Sequence, residues 1–279
     1  MDLLEALHSR AVLGDGAMGT LLFERGVPRD ACLEELCARE PERIQAIHRE
    51  YVNAGAQFVR THSFGANSVR LARFGFDRRV GELNWLAART AREALKGSGA
   101  WIAASVGPTG LPAGSGADFG AIFQDQIGAL LDGGADFVLL ETFTDMAELK
   151  AAIEAKHSLH HCPVIASLAG IDPATAVRSF AELRAAGADV VGINCTTDPE
   201  ATRSALAEAD LSEPVSVFPG AGLPVKVGET LRYPMDAQSF ASHAATLVEL
   251  GVRVIGGCCG TTPEFIAALA ERLNVTAQP

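Results

Sequence analysis

Positive charge is scarce in this chain: 23 Lys and Arg stand against 34 Asp and Glu, a formal net charge of −11. That balance opposes phosphate backbones and anionic headgroups, so neither a nucleic acid nor a membrane is expected as a partner. Aromatic residues make up only 6% of the chain, with two Trp and two Tyr, and they read as core rather than as a platform for stacking bases. No run approaches the ~20 apolar residues of a membrane span. The opening MDLLEALHSR lacks a basic n-region and a long apolar stretch, so no secretory signal is expected there. Six cysteines in 279 residues are too few for a disulfide scaffold and read as reduced thiols or metal ligands, which makes the cytoplasm the expected compartment.

What the chain does have is apolar material, at 48% hydrophobic against 20% charged, and 28 glycines. A sizeable core follows. A junction recurs four times in which a helical stretch ends in small residues around a Gly and a strand-like run follows. The copies are NAGAQFVRTH (53–62), DGGADFVLLET (132–142), AAGADVVGINC (185–195) and LGVRVIGGCC (250–259). Gly suits the left-handed residue that closes a helix, and the apolar run suits a strand covered on both faces. Four further short runs, at 11–16, 101–108, 163–170 and 214–220, bring the strands to eight. Amphipathic spacing predicts helices over 41–54, 82–95, 121–132, 145–157, 175–186, 199–208, 236–250 and 263–273. Eight strand–helix units of about 35 residues predict an α/β chain closed into a (β/α)8 TIM barrel, one domain over 1–279. The glycine-rich stretch 108–120, after the third strand, reads as an active-site loop.

The four marked junctions introduce the second, fourth, sixth and eighth strands, and distinctive residues follow them: His62, Glu141, Cys195, and the pair Cys258–Cys259. Three cysteines at two strand ends offer soft ligands for Zn2+ with one tetrahedral position open; a packing or redox role is the alternative. GDGAMGT (14–20) satisfies G-x-G-x-x-G, yet the next strand lacks the acid a dinucleotide site needs. It reads instead as a loop whose amides meet a small anion, with Asp15 free to meet a cation. Asp15 and Glu141 together suit an amino-acid ammonium; a helix cap and an ion pair are the plainer explanations. GGCCGTTPEF (256–265) also sits where barrels bind phosphate, which keeps a phosphate-binding lyase or isomerase as a rival. A non-catalytic zinc- or thiol-binding protein is a second. His157, His160 and His161 read as a helix end favoured by its dipole. Cys32, Cys37 and Cys162 read as packing residues.

These segments, with RTHSFGAN (60–67), SVGPTG (105–110), LLETFTD (139–145), GINCT (192–196), AGLP (221–224) and GGCCGTTPE (256–264), resemble the homocysteine S-methyltransferase family. The resemblance runs in order along nearly the whole chain. It implies zinc bound by Cys195, Cys258 and Cys259, with the homocysteine thiolate completing the coordination. It further implies Asp15 and Glu141 on the amino group, the amides around Gly16, Ala17 and Ser105 on the carboxylate, and His62 and Asn194 lining the substrate pocket. The expected product is methionine. The expected donor is a small sulfonium such as S-methylmethionine or S-adenosylmethionine, ahead of methyl delivered by a separate corrinoid or folate protein. Three positions depart from the family pattern, His62, Gly220 and Phe265; none removes an implied zinc ligand, and His62 and Gly220 bear on the donor rather than on the thiol.

Overall fold

The computed structural model describes residues 2–112, 114–159, 161–227 and 230–275. Eight parallel strands form its centre: β1 (Val12–Leu13), β2 (Phe58–Arg60), β3 (Trp101–Val106), β4 (Phe137–Phe143), β5 (Val164–Leu168), β6 (Val190–Thr196), β7 (Val215–Pro219) and, after an antiparallel hairpin of β8 (Val225–Val227) and β9 (Thr230–Arg232), β10 (Val254–Ile255). Their order is β1-β10-β7-β6-β5-β4-β3-β2. A single parallel bridge, Gly14 to Phe58, brings the two ends together. Gln57 reinforces that seam, its N–H donating to Leu13 O at 2.7 Å and its side-chain oxygen accepting from Leu13 N–H at 3.1 Å. Helices lie between consecutive barrel strands, so the architecture is the expected TIM barrel.

The four junction glycines behave as their sequence context predicts. Gly55, Gly134, Gly187 and Gly251 have φ of 103°, 103°, 105° and 122°, each closing a helix and turning the chain into a barrel strand. Some helices differ from expectation, among them the short Gly19–Glu24, Leu36–Arg39 and Ser68–Ala72, which the amphipathic spacing does not predict. The segment 175–186 is two short helices, Pro173–Arg178 and Phe180–Ala185, and at the break the Ser179 hydroxyl donates to Thr175 O, a back-bond that bends helices. Ahead of β1, Leu3–Ser9 forms a helix under a capping box of Asp2 and Glu5, an element the periodicity did not announce.

That first helix closes the floor of the barrel. Leu3, Ala6 and Leu7 join the interior cluster with Val12, Phe58, Ala103, Phe137, Leu139, Ile165, Val190, Phe218 and Val254. Phe58 stands edge-on to Phe137 and Phe218, with centroids at 5.4 and 6.3 Å. A larger apolar cluster fills the space between sheet and helices. Because side chains alternate along a strand, the residues two or four positions beyond these interior groups also face inward. They are Arg60 after Phe58, Ser105 after Ala103, Glu141 after Leu139, Ser167 after Ile165 and Asn194 after Val190. A polar layer thus lies on an apolar one, at the end of the barrel where TIM-barrel chemistry occurs.

Leu7→Ala is expected to cost about 2–5 kcal/mol of stability through the cavity left in the floor. Urea unfolding measures the loss, and ligand uptake at the opposite end should be retained.

Candidate active site

At that end three sulfurs converge. The Sγ atoms of Cys195, Cys258 and Cys259 all lie within 4.8 Å of one another, and among the described residues no other such group of His, Cys, Asp or Glu gathers. Cys195 and Cys258 are joined as a disulfide, and Cys259, with Sγ 3.7 Å from that of Cys195, is a free thiol. Cys259 is exposed at the rim, yet its thiol is enclosed enough that burial pushes its pKa up, with the Arg60 guanidinium opposing. Cys32 and Cys37 are different in kind. Burial pushes the first up to about 11 and the second up to about 12, and both are packed in apolar clusters, as inert core thiols are.

Beside the sulfurs lies a charged cluster whose central member the sequence reading missed. Arg60 is 9% exposed and sits between the two carboxylates. Its Nε donates to Asp15 Oδ1 at 2.7 Å, its backbone N–H to Asp15 Oδ2 at 2.9 Å, and its Nη1 to Glu141 Oε2 at 3.0 Å. Nη2 donates to Gly16 O at 2.6 Å and Gly257 O at 2.8 Å, and the guanidinium stands 5.2 Å from the Phe218 ring centroid. Burial disfavours the arginine charge, but Asp15 and Glu141 outweigh it and hold its pKa above the ordinary value. Burial likewise raises Asp15 above the usual carboxylate range, with Arg60 opposing. The signal for Arg60 was present in RTHSFGAN, two positions beyond an interior Phe on the same strand face.

The expected carboxylate-binding amides are mostly committed elsewhere. Ala17 N–H faces the backbone and side-chain oxygens of Thr261 at 3.3 and 3.2 Å. Ser105 N–H donates to Thr61 Oγ1 at 2.9 Å, and its hydroxyl to Glu141 Oε1 at 2.5 Å. Among the described residues Gly16 N–H has no protein acceptor. His62 turns its Nε2 to Leu33 O at 2.8 Å, and burial lowers its pKa while Glu34 opposes. The Asn194 carboxamide is engaged with Thr142. Phe265 packs on Phe240 in the helical layer, 5.5 Å between centroids, rather than at the mouth. A Cβ on Gly220 would meet Cys259 O at an ordinary 3.4 Å, so that position has room for a side chain. His157 bonds Gly187 O, and its sequence neighbour His160 lies outside the described residues, as does Ala113 in the loop 108–120.

The phosphate-site rival fares poorly against the hydrogen bonds of the last loop. The N–H groups of Gly256, Gly257, Cys258 and Thr261 donate to Val217 O, Asp15 O, Pro219 O and Cys258 O, and that of Gly260 to Thr20 Oγ1. A phosphate cradle needs such amides free.

The profile of the family described as homocysteine S-methyltransferase matches residues 12–273. The chain belongs to that family. Its sequence is 33% identical to methionine synthase from Mycobacterium tuberculosis, over all of this chain and 26% of that protein. The Mycobacterium leprae methionine synthase is also 33% identical, over 98% of this chain and 25% of the other. The chain therefore spans about a quarter of the length of these curated relatives. Among solved structures it is similar to the homocysteine methyltransferase MmuM from Escherichia coli. The metallated form superposes with a TM-score of 0.78 at 28% identity, covering 95% of this chain and 96% of that one. The oxidized form gives 0.77 at 29%, covering 96% and 99%. The Escherichia coli relative is thus named a homocysteine methyltransferase and the mycobacterial ones methionine synthases. No helix among the described residues is long and apolar enough to cross a membrane.

Arg60→Met tests the charged cluster. Removing the cation leaves two buried carboxylates facing each other, a loss of about 3–5 kcal/mol at neutral pH. With its counter-ion gone, the folded-state pKa of Asp15, already raised by burial, rises further above the unfolded one, so the folded form binds its proton more tightly. The deficit should be largest at pH 7–8 and shrink as pH falls towards the ordinary carboxylate range of about 4. Urea melts of variant and parent at pH 5 and pH 8 measure it.

Proposed function

We propose that this barrel transfers a methyl group from a small S-methyl sulfonium, such as S-methylmethionine or S-adenosylmethionine, to the sulfur of homocysteine, giving methionine. The observation that carries the reading is the placing, in one mouth, of three sulfurs beside a cluster of two carboxylates and one guanidinium. Homocysteine has the matching ends, a thiol and an α-amino acid group.

The fit of a metal is judged on the sulfurs themselves. In their reduced form, three thiols from two strand ends, with no fourth protein ligand gathered to them among the described residues, are the donor set of a catalytic zinc with one open position. Cys195, Cys258 and Cys259 would hold Zn2+, whose charge would keep a substrate thiol deprotonated at a pH where a free thiol of pKa near 8.5 is mostly protonated. The protein's own groups orient the rest. Asp15 and Glu141 carry two negative charges and Arg60 one positive, leaving one net negative charge for the substrate ammonium. Each carboxylate oxygen accepts one hydrogen bond within the cluster at full strength, so each retains a lone pair for a further donor. Gly16 N–H is the amide left for the substrate carboxylate. In the transfer, the homocysteine sulfur supplies the electron pair of the new S–CH3 bond, the old C–S pair stays on the donor sulfur, and the thiol proton leaves to solvent.

Beside Cys195 opens a cavity of about 240 Å³, lined in part by Leu168, Ile171, Ile193 and Asp198. Asp198 is its one charged side chain, which favours a cationic donor. A larger cavity, about 480 Å³, lies between the helices Ala237–Leu250 and Pro263–Arg272 and is lined by no cysteine. The similarity to methionine synthases favours a second reading, in which methyl arrives from a corrinoid or folate protein. A donor screen with S-methylmethionine, S-adenosylmethionine, methylcobalamin and methyltetrahydrofolate separates the two.

The first experiment is zinc content with homocysteine titration, comparing the parent with Cys258→Ala. About one zinc per chain, and thiol binding that releases about one proton and disappears in the variant, is the expected result. A reduced protein that neither contains zinc nor acquires it would overturn the reading.

A further inference from the structure

Among the described residues only three other than glycine have positive φ, and two of them stand at the barrel mouth: Thr142 at 65° and Cys195 at 53°. A β-branched residue is poorly suited to that conformation, which costs of the order of one to several RT unless its surroundings enforce it. Both lie where a strand slips its register, β4 between Leu140 and Phe143 and β6 between Asn194 and Thr196. The slip on β4 takes Thr142 N–H out of the ladder with β5. Its acceptor is Asn194 Oδ1 at 2.9 Å, and Asn194 Nδ2 donates back to Thr142 Oγ1 at 2.7 Å. Asn194 is 1% exposed and reaches from β6 past the intervening β5 to do so.

We infer that Asn194 is a positioning residue whose carboxamide holds Thr142 in its left-handed conformation and thereby fixes Glu141 relative to Cys195. Glu141 immediately precedes Thr142, and Cys195 immediately follows Asn194. The two-point clamp therefore spans a carboxylate proposed for the substrate ammonium and a sulfur proposed for the metal. It replaces the backbone acceptor lost at the bulge and sets the Thr142 rotamer at the same time. The inference rests on the homocysteine reading for the roles of Glu141 and Cys195, while the clamp itself rests on the bulge geometry alone.

The two possible roles of Asn194, clamp and direct substrate contact, differ in what a glycine at 142 should do. Glycine adopts φ near 65° without strain and needs no clamp. The experiment compares the parent with Asn194→Ala, Thr142→Gly, Thr142→Val and the double variant Asn194→Ala/Thr142→Gly. Readouts are homocysteine titration, cobalt(II) uptake followed by thiolate-to-metal charge-transfer absorption, and thermal melting. Asn194→Ala should weaken homocysteine binding by roughly tenfold or more, through the strain no longer held at Thr142 together with one orphaned buried N–H. The double variant relieves the strain at 142 but not the orphaned N–H, so it should regain part of that loss, and Thr142→Gly should bind better than Thr142→Val although it removes more of the side chain. A double variant no better than Asn194→Ala, or a Gly variant worse than the Val variant, would overturn the inference. If Asn194→Ala does not fold, the Gly–Val comparison decides alone. If the parent takes up cobalt but not homocysteine, the substrate reading falls, and the clamp is still scored by the same ranking in cobalt absorption and melting.

Discussion

The mouth of this barrel is organised around one buried cation. A guanidinium taken out of water is tolerable only when its donors are met and its charge is opposed. Arg60 satisfies both conditions by drawing on separate parts of the barrel: Asp15 and Gly16 after β1, Glu141 on β4, the Phe218 ring on β7 and Gly257 after β10. The dependence is mutual. Asp15 is already raised by burial with Arg60 in place, so the two acids can share the interior only because the arginine stands between them. The bond to Gly257 O also ties this cluster to the residue preceding Cys258. The carboxylates and the sulfurs are therefore held by one network rather than by two independent ones.

The regular part of that arrangement was legible in the sequence to an uneven degree. The four Gly junctions announced the second, fourth, sixth and eighth barrel strands, because a left-handed helix end followed by a covered strand constrains composition strongly. Cys195, Cys258 and Cys259 and the acids Asp15 and Glu141 stood out as chemistry at strand ends. Arg60 did not, since an arginine beside a strand end usually reads as a solvated charge and only the alternation from Phe58 turns it inward. The floor helix Leu3–Ser9 is too short for periodicity to reveal, and its capping box is a local signal easily passed over. The hairpin of β8 and β9 stands in a connection between barrel units, where the strand–helix rhythm gives no expectation. The destinations of individual amides, such as Ala17 to Thr261, depend on contacts more than 200 residues apart and have no local signature.

The inward polar layer and the sulfur triad are built by opposite means. Arg60, Ser105, Glu141 and Asn194 face inward simply because they keep the two-residue alternation of their strands. Cys258 and Cys259 could not converge under that rule, since adjacent residues of a strand point to opposite faces. They converge because β10 ends at Ile255 and the chain leaves the strand through Gly256 and Gly257. A Cβ on Gly256 would stand 2.9 Å from Asp15 O and from the Phe218 ring, and one on Gly257 would run into the Thr261 side chain. No larger residue passes through that exit, so the two glycines are as necessary to the triad as the cysteines. Cys195 reaches it from the other side by a second departure, the bulge and positive φ at the end of β6. Regular structure thus places Arg60 and Glu141, and two local breaks in it place the sulfurs. The Asn194 clamp lies where one of those breaks meets the regular layer.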